Sequence, residues 1–202
     1  MNSDIRAERQ RLRRRIRAER RAIPPERRAA ADRAIVRHIL GLAAYRRARR
    51  VAVFLAFDGE PSLELLMDRA MRQGKKLYVP VLHGLNMDFA PLERGSALAR
   101  NFFGILEPPA RARPIDPRRL DLVLTPLVAF DSKGVRIGVG RGYYDRCFAF
   151  LRDRDHWFRP KLLGVAYELQ HVPSLERQSW DVPLWGVVTE AGVRRFAPQV
   201  EP

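Results

Sequence analysis

The residues best suited to chemistry lie between positions 131 and 146. Three glycines alternate there with arginine and valine, and two tyrosines and an aspartate follow them directly. Glycine permits positive φ and lets a ligand approach backbone N–H groups closely, and a helix that begins after such a turn attracts anions. The arginines add positive charge, and the aspartate is a carboxylate of the type that holds Mg²⁺ against a phosphate. The pattern suggests a site for a nucleoside triphosphate. Its residues are Arg136, Gly138, Val139, Gly140, Arg141, Gly142, Tyr143, Tyr144 and Asp145.

The two common nucleotide-binding motifs do not match this stretch. The chain contains no G-x-x-x-x-G-K-[ST] sequence, and the G-x-G-x-x-G spacing of dinucleotide sites is absent. A flexible turn followed by a helix cap explains alternating glycines without any ligand. From the pattern alone, this structural alternative stays open beside the phosphate site.

An alternation of strand and helix patterns must position these residues. Continuous apolar runs such as residues 51–57 predict strands buried on both faces, and apolar side chains at helical spacing predict helices between them. The predicted helices are 4–22, 25–42, 61–73 and 143–152, and the predicted strands are 51–57, 77–81, 87–92, 121–126, 162–166 and 187–189. This order indicates an α/β fold, a three-layer α/β/α sandwich that is Rossmann-like, with a mostly parallel, mixed sheet and N-terminal helices packed on it. Ligands in such folds bind beyond the carboxyl ends of strands, where residues 58–60 and 138–145 fall.

The two N-terminal helices carry apolar stripes that are expected to dock on the sheet. The stripe positions are Ile5, Leu12, Ile16 and Ile23 in the first helix, and Ala30, Ala34, Ile35, His38 and Ile39 in the second. Pro24 and Pro25 separate the helices, because proline breaks one helix and can open the next. We expect a single domain over residues 1–202, in which residues 1–45 form an arginine-rich helical region.

The charge of the chain is concentrated near its N-terminus. Of a formal net charge of +15, residues 1–50 contribute +12, through 17 arginines, no lysine and 5 acids. Three interpretations compete: a nucleic-acid-binding arm, a site for a small polyanion, and an arginine-rich solvated face. The other 152 residues are nearly neutral, with 21 basic and 18 acidic side chains.

Composition excludes several classes of protein. With Cys147 as the only cysteine, no internal disulfide can form, and we interpret this residue as a small buried side chain rather than a nucleophile. No run of about 18 apolar residues predicts a transmembrane helix, and no apolar stretch follows the basic N-terminus as in a secretory signal, so a cytoplasmic protein is expected. The four histidines show no metal-ligand spacing. They are His38, His83, His156 and His171.

Residues 126–146 resemble the strongest signature of the 5-formyltetrahydrofolate cyclo-ligase (5,10-methenyltetrahydrofolate synthetase) family. That signature has the form P-x-x-A-F-D-x-x-G-x-R-x-G-x-G-x-G-Y-Y-D-R, and the chain matches each specified position. Similarity continues in R-x-x-L-R-x-x-x-R from Arg9, in the acidic turn at residues 58–60, in N-x-x-G-I-x-E-P from Asn101 and in residues 164–190. Two departures are visible. Arg9 stands where the family usually has Lys, and Ser62-Leu63 replaces a usual Asp-Thr.

The resemblance implies an ATP- and Mg²⁺-dependent cyclisation of 5-formyltetrahydrofolate to 5,10-methenyltetrahydrofolate, with release of ADP and phosphate. The implied catalytic residues are Glu60, Tyr143 and Arg136. The implied ATP-binding residues are Arg9, Arg13, Arg136, Gly138, Val139, Gly140, Arg141, Gly142, Tyr143 and Tyr144. The implied substrate-binding residues are Leu55, Phe57, Glu60, Gly140, Arg141, Gly142 and Tyr143. The implied Mg²⁺ ligands are Asp145 and Asp181, and Trp157 is expected to flank the nucleotide.

Several of these residues also have a purely structural interpretation. Glu60 would suit the N-terminus of a helix, where the dipole favours an acid, and Asp181 would cap a turn. Arg9 and Arg13 would belong to the solvated face, and Tyr144 to the core. The expected partners are ATP and the folate substrate, with or without a polyglutamate tail. We expect neither nucleic acid nor a membrane as a partner, and we expect a monomer.

Overall fold

A seven-stranded sheet carries helices on both of its faces. The computed structural model describes residues 2–108, 113–152 and 159–196, so His156 and Trp157 lie outside the described residues. The helices are α1 (Asn2–Arg21), α2 (Pro25–Gly41), α3 (Ala43–Arg47), α4 (Glu64–Arg72) and α5 (Tyr143–Cys147), with 3₁₀ turns at Pro117–Arg119, Ala149–Leu151 and Glu168–Gln170. The strands are β1 (Arg50–Ala52), β2 (Lys76–His83), β3 (Asn86–Leu92), β4 (Ala99–Arg100), β5 (Leu106–Glu107), β6 (Leu122–Pro126), β7 (Ala129–Phe130), β8 (Arg136–Ile137), β9 (Lys161–Val165), β10 (Gly186–Thr189) and β11 (Gly192–Arg195).

The central strands of the sheet are parallel. The order is β11-β10-β9-β6-β1-β2-β3, with β2, β1, β6, β9 and β10 parallel and one antiparallel strand at each edge. Residues 122–125 and 162–165 are buried without interruption, as continuous apolar runs in parallel strands require. The prediction of a mostly parallel, mixed sheet is confirmed.

Two apolar clusters cover the two faces of the sheet. One contains Ile35 and Leu66 from α2 and α4 together with Val51, and the other contains Phe148, next to α5, together with Ala52. Successive residues of a strand point to opposite faces, so Val51 and Ala52 belong to different clusters. The arrangement has three layers, as predicted.

The first helix, α1, packs against the segments that follow the carboxyl ends of β6 and β9. Ile16 is buried there with Val128 and Val172, and Leu12 packs on the same cluster. At the end of α1, the Arg28 guanidinium donates to the backbone carbonyls of Arg20, Arg21 and Ile23 at 3.1–3.5 Å. The predicted stripe of α1 therefore holds the helix beside the edge where ligands bind in such folds.

The strand predicted over residues 51–57 is wrong beyond Ala52, where the ladder of β1 ends. Val53 still donates from its backbone to the Tyr78 carbonyl at 2.8 Å. Phe57, in contrast, is 37% exposed. The chain leaves the sheet here: Val53 and Phe54 still belong to the core, while Phe54, Leu55 and Phe57 line a cavity.

Two predicted helices are shorter than their patterns. The helix predicted over 143–152 ends at Cys147, and its apolar positions continue in a 3₁₀ turn; α4 begins at Glu64 rather than at position 61. On α2, Ala30 is exposed and Val36 is buried, so the docking face is rotated slightly from the predicted one.

Several short elements were not predicted. The antiparallel edge strand β11 follows β10 after a tight turn at Glu190-Ala191, and α3 occupies five residues before β1. The pairs β4–β5 and β7–β8 have only two residues in each strand. Elements this short contain at most about two periods of an apolar pattern, which is too few for the pattern to be recognised in the sequence.

Candidate active site

A cavity of about 970 Å³ opens at the carboxyl edge of the sheet. Segments from α1, the chain after β1, the glycine-rich turn, α5 and the loop before β10 line it. The structure thus brings fifteen of the sixteen predicted site residues to one cavity, and the sixteenth, Trp157, lies outside the described residues. The fifteen are Arg9, Arg13, Leu55, Phe57, Glu60, Arg136, Gly138, Val139, Gly140, Arg141, Gly142, Tyr143, Tyr144, Asp145 and Asp181. The role of each residue stays a prediction.

Two arginines of α1 reach the cavity one helical turn apart. Arg9 donates from Nη2 to Asp181 Oδ2 at 3.1 Å, and Arg13 donates from Nε to the Gly138 carbonyl at 2.9 Å. Arg9 Nε is buried and has no hydrogen-bond partner among the described residues. Burial and the charge of Arg9 lower the pKa of Arg13. Because both side chains are largely removed from solvent, the solvated-face interpretation is wrong for this pair, and the crowded positive charge suits an anion.

An ion pair within residues 136–145 also hydrogen-bonds to the loop before β10. Arg136 donates from Nη2 to Asp145 Oδ1 at 2.7 Å and from Nη1 to the Val182 carbonyl. The same carboxylate oxygen accepts the Val182 N–H at 3.2 Å. The Arg136 side chain is 5% exposed and that of Asp145 is 23% exposed. Each terminal nitrogen of Arg136 carries a second N–H. The guanidinium therefore has donors for a ligand in addition to the two that bind Asp145 and Val182.

The glycine-rich turn needs glycine for its backbone conformation. Gly140 has φ +101° and Gly142 has φ +65°, both in the region that side-chain-bearing residues rarely adopt. Gly142 lies directly before α5, a helix of only five residues. The N–H groups of the turn therefore contribute more to an anion site than a helix dipole does.

Glu60 lies in the tight turn that follows β1. Its Oε2 accepts the Phe57 N–H at 3.2 Å, and its own N–H donates to the Phe57 carbonyl at 3.0 Å. Burial raises the pKa of Glu60 from its usual 4.5 to about 7, against the lowering effect of Arg20. Since α4 begins four residues later, the interpretation of Glu60 as a helix N-terminal acid is wrong.

The two tyrosines of the signature have different surroundings. The Tyr143 hydroxyl donates to the Gly84 carbonyl at 2.9 Å, in the turn between β2 and β3, so its proton is engaged with protein rather than free for a folate nitrogen. Tyr144 stacks on Phe148 with ring centroids 6.3 Å apart and also lines the cavity. Burial raises the pKa of Tyr144. It belongs to both the core and the site.

Asp181 accepts two hydrogen bonds at the cavity. One comes from Arg9, and the other comes from the Gln178 N–H at 2.9 Å, which closes a turn of the loop before β10. The turn-capping interpretation and the site interpretation of Asp181 are therefore compatible.

An apolar wall completes the cavity, and most of it was not predicted. Asn101 accepts N–H donors from Phe103 and Ile105 at 2.9 and 3.1 Å, and this turn places the Phe103 ring 5.1 Å from the Arg141 guanidinium. The N-x-x-G-I-x-E-P similarity pointed to this segment, but apolar strand residues carry no mark that separates a cavity wall from a core. The unpredicted wall residues are Phe54, Pro80, Leu82, Met87, Phe103, Ile105, Leu106 and Trp180.

The donor set at the cavity fits Mg²⁺ only when phosphates and water complete its coordination. No cluster of three or more His, Cys, Asp or Glu side chains suited to a metal occurs among the described residues. Asp145 Oδ2 accepts no hydrogen bond from the described residues, which leaves a carboxylate oxygen for a cation.

Burial raises the pKa of Cys147 to about 12, which argues against a thiolate nucleophile at neutral pH.

Comparison with known proteins identifies the family. The model of the 5-formyltetrahydrofolate cyclo-ligase family matches residues 5–190. The chain belongs to this family. It is 38% identical over 182 residues to the cyclo-ligase of Escherichia coli, across 88% of this chain and 98% of that protein. It is 35% identical over 184 residues to that of Haemophilus influenzae, across 89% and 96%. The structure of Aquifex aeolicus 5,10-methenyltetrahydrofolate synthetase superposes with a TM-score of 0.81 at 28% identity, across 96% and 95%.

The cyclo-ligase signature includes a glycine whose replacement we expect to disturb Arg13. A Cβ on Gly140 would lie 3.4 Å from Arg13 Cζ, and φ +101° disfavours any side chain there. We expect Gly140→Ala to raise KM for ATP roughly tenfold. The control is Gly95→Ala, which has φ +76° and nothing within 4 Å of the added Cβ. Steady-state kinetics with varied ATP measure the effect, and an equal rise in both variants would contradict a specific contact with Arg13.

Proposed function

We propose that this chain catalyses the ATP-dependent conversion of 5-formyltetrahydrofolate to 5,10-methenyltetrahydrofolate, with release of ADP and phosphate. The observation that carries the proposal is the cavity itself, where the signature residues of a cyclo-ligase family member meet three further groups. These groups are the α1 arginines, the partly protonated Glu60 and an apolar wall. A polyanion and a flat apolar ring system are the two ligand types that such walls suit.

The reaction needs ATP because a formamide is a poor electrophile. Transfer of the γ-phosphoryl group to the formyl oxygen breaks the bond to ADP and converts that oxygen into a leaving group. N10 of the same folate then attacks the formyl carbon and loses its proton, and phosphate departs with the bond electrons. Catalysis requires positioning of the two substrates and neutralisation of phosphate charge.

The nucleotide half of the cavity is proposed to be its arginine-lined side. Arg9, Arg13 and Arg141 would contact the phosphates, with the N–H groups of residues 138–142. Arg136 holds Asp145 in place and offers its remaining donors. This assignment uses the unpartnered Arg9 Nε as one donor for the ligand.

The folate half is proposed to be the apolar side with Glu60. Leu55 and Phe57 follow β1 and flank the turn that presents the Glu60 carboxyl group, so a pterin ring beside them would bring its formyl group to that carboxyl. With its pKa raised to about 7, Glu60 can both donate and accept a proton near neutral pH. Tyr143 would contact folate through its ring, because its hydroxyl is engaged.

Asp145 and Asp181 are proposed to hold Mg²⁺ together with the phosphates of ATP. Magnesium usually takes one or two carboxylates and fills its coordination with phosphate oxygens and water. When bound, the ion would neutralise charge that develops on the transferred phosphoryl group. The two aspartates would fix its place, and each is itself oriented by an arginine.

The test is an assay of folate turnover. With 5-formyltetrahydrofolate, ATP and Mg²⁺, the methenyl product is expected to appear by its near-ultraviolet absorbance and to require all three components. Arg13→Gln is expected to raise KM for ATP, while the control Arg14→Gln, an exposed neighbour outside the cavity, leaves it unchanged. Absence of an ATP-dependent folate product would contradict the proposal. ATP hydrolysis without that product would favour a different small-molecule enzyme.

We further propose that the chain acts as one domain and as a cytoplasmic monomer. Among the described helices, none has both the length and the apolar character to span a bilayer. Arginines 9, 13, 17, 20 and 21 of α1 bind groups of the protein itself, which leaves fewer of them for a nucleic acid. Size-exclusion chromatography with light scattering tests the monomer, and retention on DNA that collapses with salt would favour the nucleic-acid alternative.

A further inference from the structure

We propose that Asp58 is a positioning residue that fixes α1 against the turn after β1. It thereby positions the nucleotide-contacting arginines and Glu60 relative to one another. The inference rests on the proposed function and deepens it. Asp58 contacts neither proposed substrate site directly. Its effect passes through the helix that carries Arg9 and Arg13 and through the turn that carries Glu60.

Three arginines of α1 converge on the Asp58 carboxylate. Arg17 lies 2.6 Å and Arg20 lies 3.3 Å from Oδ2, and Arg21 lies 2.9 Å from Oδ1. The side chain of Asp58 is only 12% exposed. One carboxylate that pairs with three guanidinium groups in a shielded place holds the C-terminal half of α1 far more firmly than an exposed pair would.

Arg20 makes the contact difficult to replace. Its side chain is completely buried, and it donates to the Asp58 carbonyl at 2.9 and 3.2 Å and to the Leu127 carbonyl at 3.3 Å. A buried guanidinium needs a nearby negative charge as well as carbonyl acceptors, and Asp58 supplies that charge. Arg20 thereby joins α1 to the segments after β1 and after β6, the two segments between which the cavity opens.

The turn that carries Asp58 lies close against α1. Asp58 has φ +53° and Gly59 has φ +75°, a backbone conformation that an Asp-Gly pair readily adopts in a tight turn. A Cβ on Gly59 would lie 3.6 Å from the Arg20 carbonyl oxygen, so the turn and α1 approach each other closely. Glu60 comes directly after Gly59.

The same cluster sets the electrostatic surroundings of Glu60. Arg20 and Arg17 of α1 favour its charged form, Asp58 on its own turn disfavours it, and Tyr144 of α5 lies close enough to feel its charge. Removal of the Asp58 charge would take away a like charge that disfavours the ionised form of Glu60, so the pKa of Glu60 would fall. Greater exposure of Glu60 would lower its pKa as well, so a variant that only loosens a helix contact serves as the control.

The test compares Asp58→Asn with Asp32→Asn. Asp32 is also a partly buried carboxylate that ties a helix to the body, because it accepts the Tyr167 hydroxyl at 2.7 Å, but it lies outside the cavity. For Asp58→Asn we expect kcat/KM for ATP to fall roughly ten- to a hundredfold, as displaced binding groups do. The limb of the pH–rate profile that reports Glu60 should shift to lower pH. Asp32→Asn should lower the melting temperature with neither change.

A milder variant and a binding assay complete the test. Arg21→Gln removes an exposed arm of the cluster and should reduce kcat/KM for ATP in the same direction by less. Binding of a non-hydrolysable ATP analogue should weaken in Asp58→Asn. This assay tests the proposal even if the protein does not convert folate. Unchanged nucleotide affinity and an unchanged pH profile in Asp58→Asn would overturn the proposal. So would an equal shift of both readouts in Asp32→Asn.

Discussion

Folate turnover by Glu60→Gln is expected to fall by roughly two to four orders of magnitude, while its affinity for ATP stays within about twofold. The amide keeps the size of the side chain but can neither accept nor deliver a proton, and a positioned acid or base typically contributes a rate factor of that size. The Phe57 N–H retains an acceptor in the amide oxygen, so the turn is expected to keep its shape. Steady-state turnover and ATP-analogue binding measure the two effects.

The same variant is expected to gain stability at alkaline pH. Since the pKa of Glu60 is raised to about 7 in the folded protein, the folded state binds more protons than the unfolded state between about pH 4.5 and 7. The stability contribution of this group therefore falls as pH rises through that window, and Glu60→Gln abolishes the fall. Its melting temperature should exceed that of the wild type at pH 8 and approach it at pH 5.

The control for both effects is Glu64→Gln, an exposed acid at the start of α4 that does not line the cavity. It should leave turnover and the pH dependence of melting unchanged. Wild-type-like turnover in Glu60→Gln would refute its catalytic role. Equal melting shifts in the two variants would refute the assignment of the raised pKa.

Arg136→Ala is expected to lose folate turnover and about 3–5 kcal/mol of stability. The guanidinium is buried, and its removal leaves the Asp145 carboxylate partly buried without its cation. Breaking a buried pair in this way costs that much because the remaining charge is uncompensated. Loss of the link to Val182 should also free the loop that carries Asp181. Urea unfolding and the turnover assay measure the two losses.

An exposed ion pair provides the matched control for Arg136→Ala. Arg94 pairs with Asp68 at 3.1 Å, and their side chains are 68% and 44% exposed. Arg94→Ala should cost about 0.2–1 kcal/mol and leave turnover unchanged, because solvent screens such pairs. Arg136→Lys keeps the charge without the two-armed geometry, and we expect it to recover stability only in part. Full turnover in Arg136→Ala would contradict the proposed role of Arg136 in the reaction.

The arginine-rich N-terminal region illustrates what composition alone leaves open. The count of +12 over residues 1–50 is compatible with a solvated face, a nucleic-acid arm or a small-polyanion site. In the structure, Arg20 is completely buried, while Arg9 and Arg13 line the cavity. The same residue type therefore serves a structural ion cluster, a ligand cavity and the exposed surface within one helix. Only the packing of α1 separates these uses.

The sequence by itself determined the fold class, the positions of the long elements and the signature residues that line the cavity. Apolar runs and helical stripes extend over several periods in β6, β9 and α2, and the signature of residues 126–146 is long enough to be specific. Such local patterns can be recognised without knowing which segments pack against them in the fold. The termination of β1 at Ala52 and the shortness of α5 escaped them, because pairing with a neighbouring strand decides where a ladder ends and tertiary packing largely decides how far a short helix extends.

Tertiary structure alone decided the surroundings of each charge. The sequence contains Asp58, Arg20 and Glu60, but it does not show that Arg20 is buried close to both acids. Nor does it show that the Tyr143 hydroxyl donates to the Gly84 carbonyl. Coulombic and desolvation effects depend on distance and burial, and residues 38 or more positions apart in the chain become close and buried only when the chain is folded. The sequence shows which chemical groups are present, whereas the fold sets their partners and protonation states.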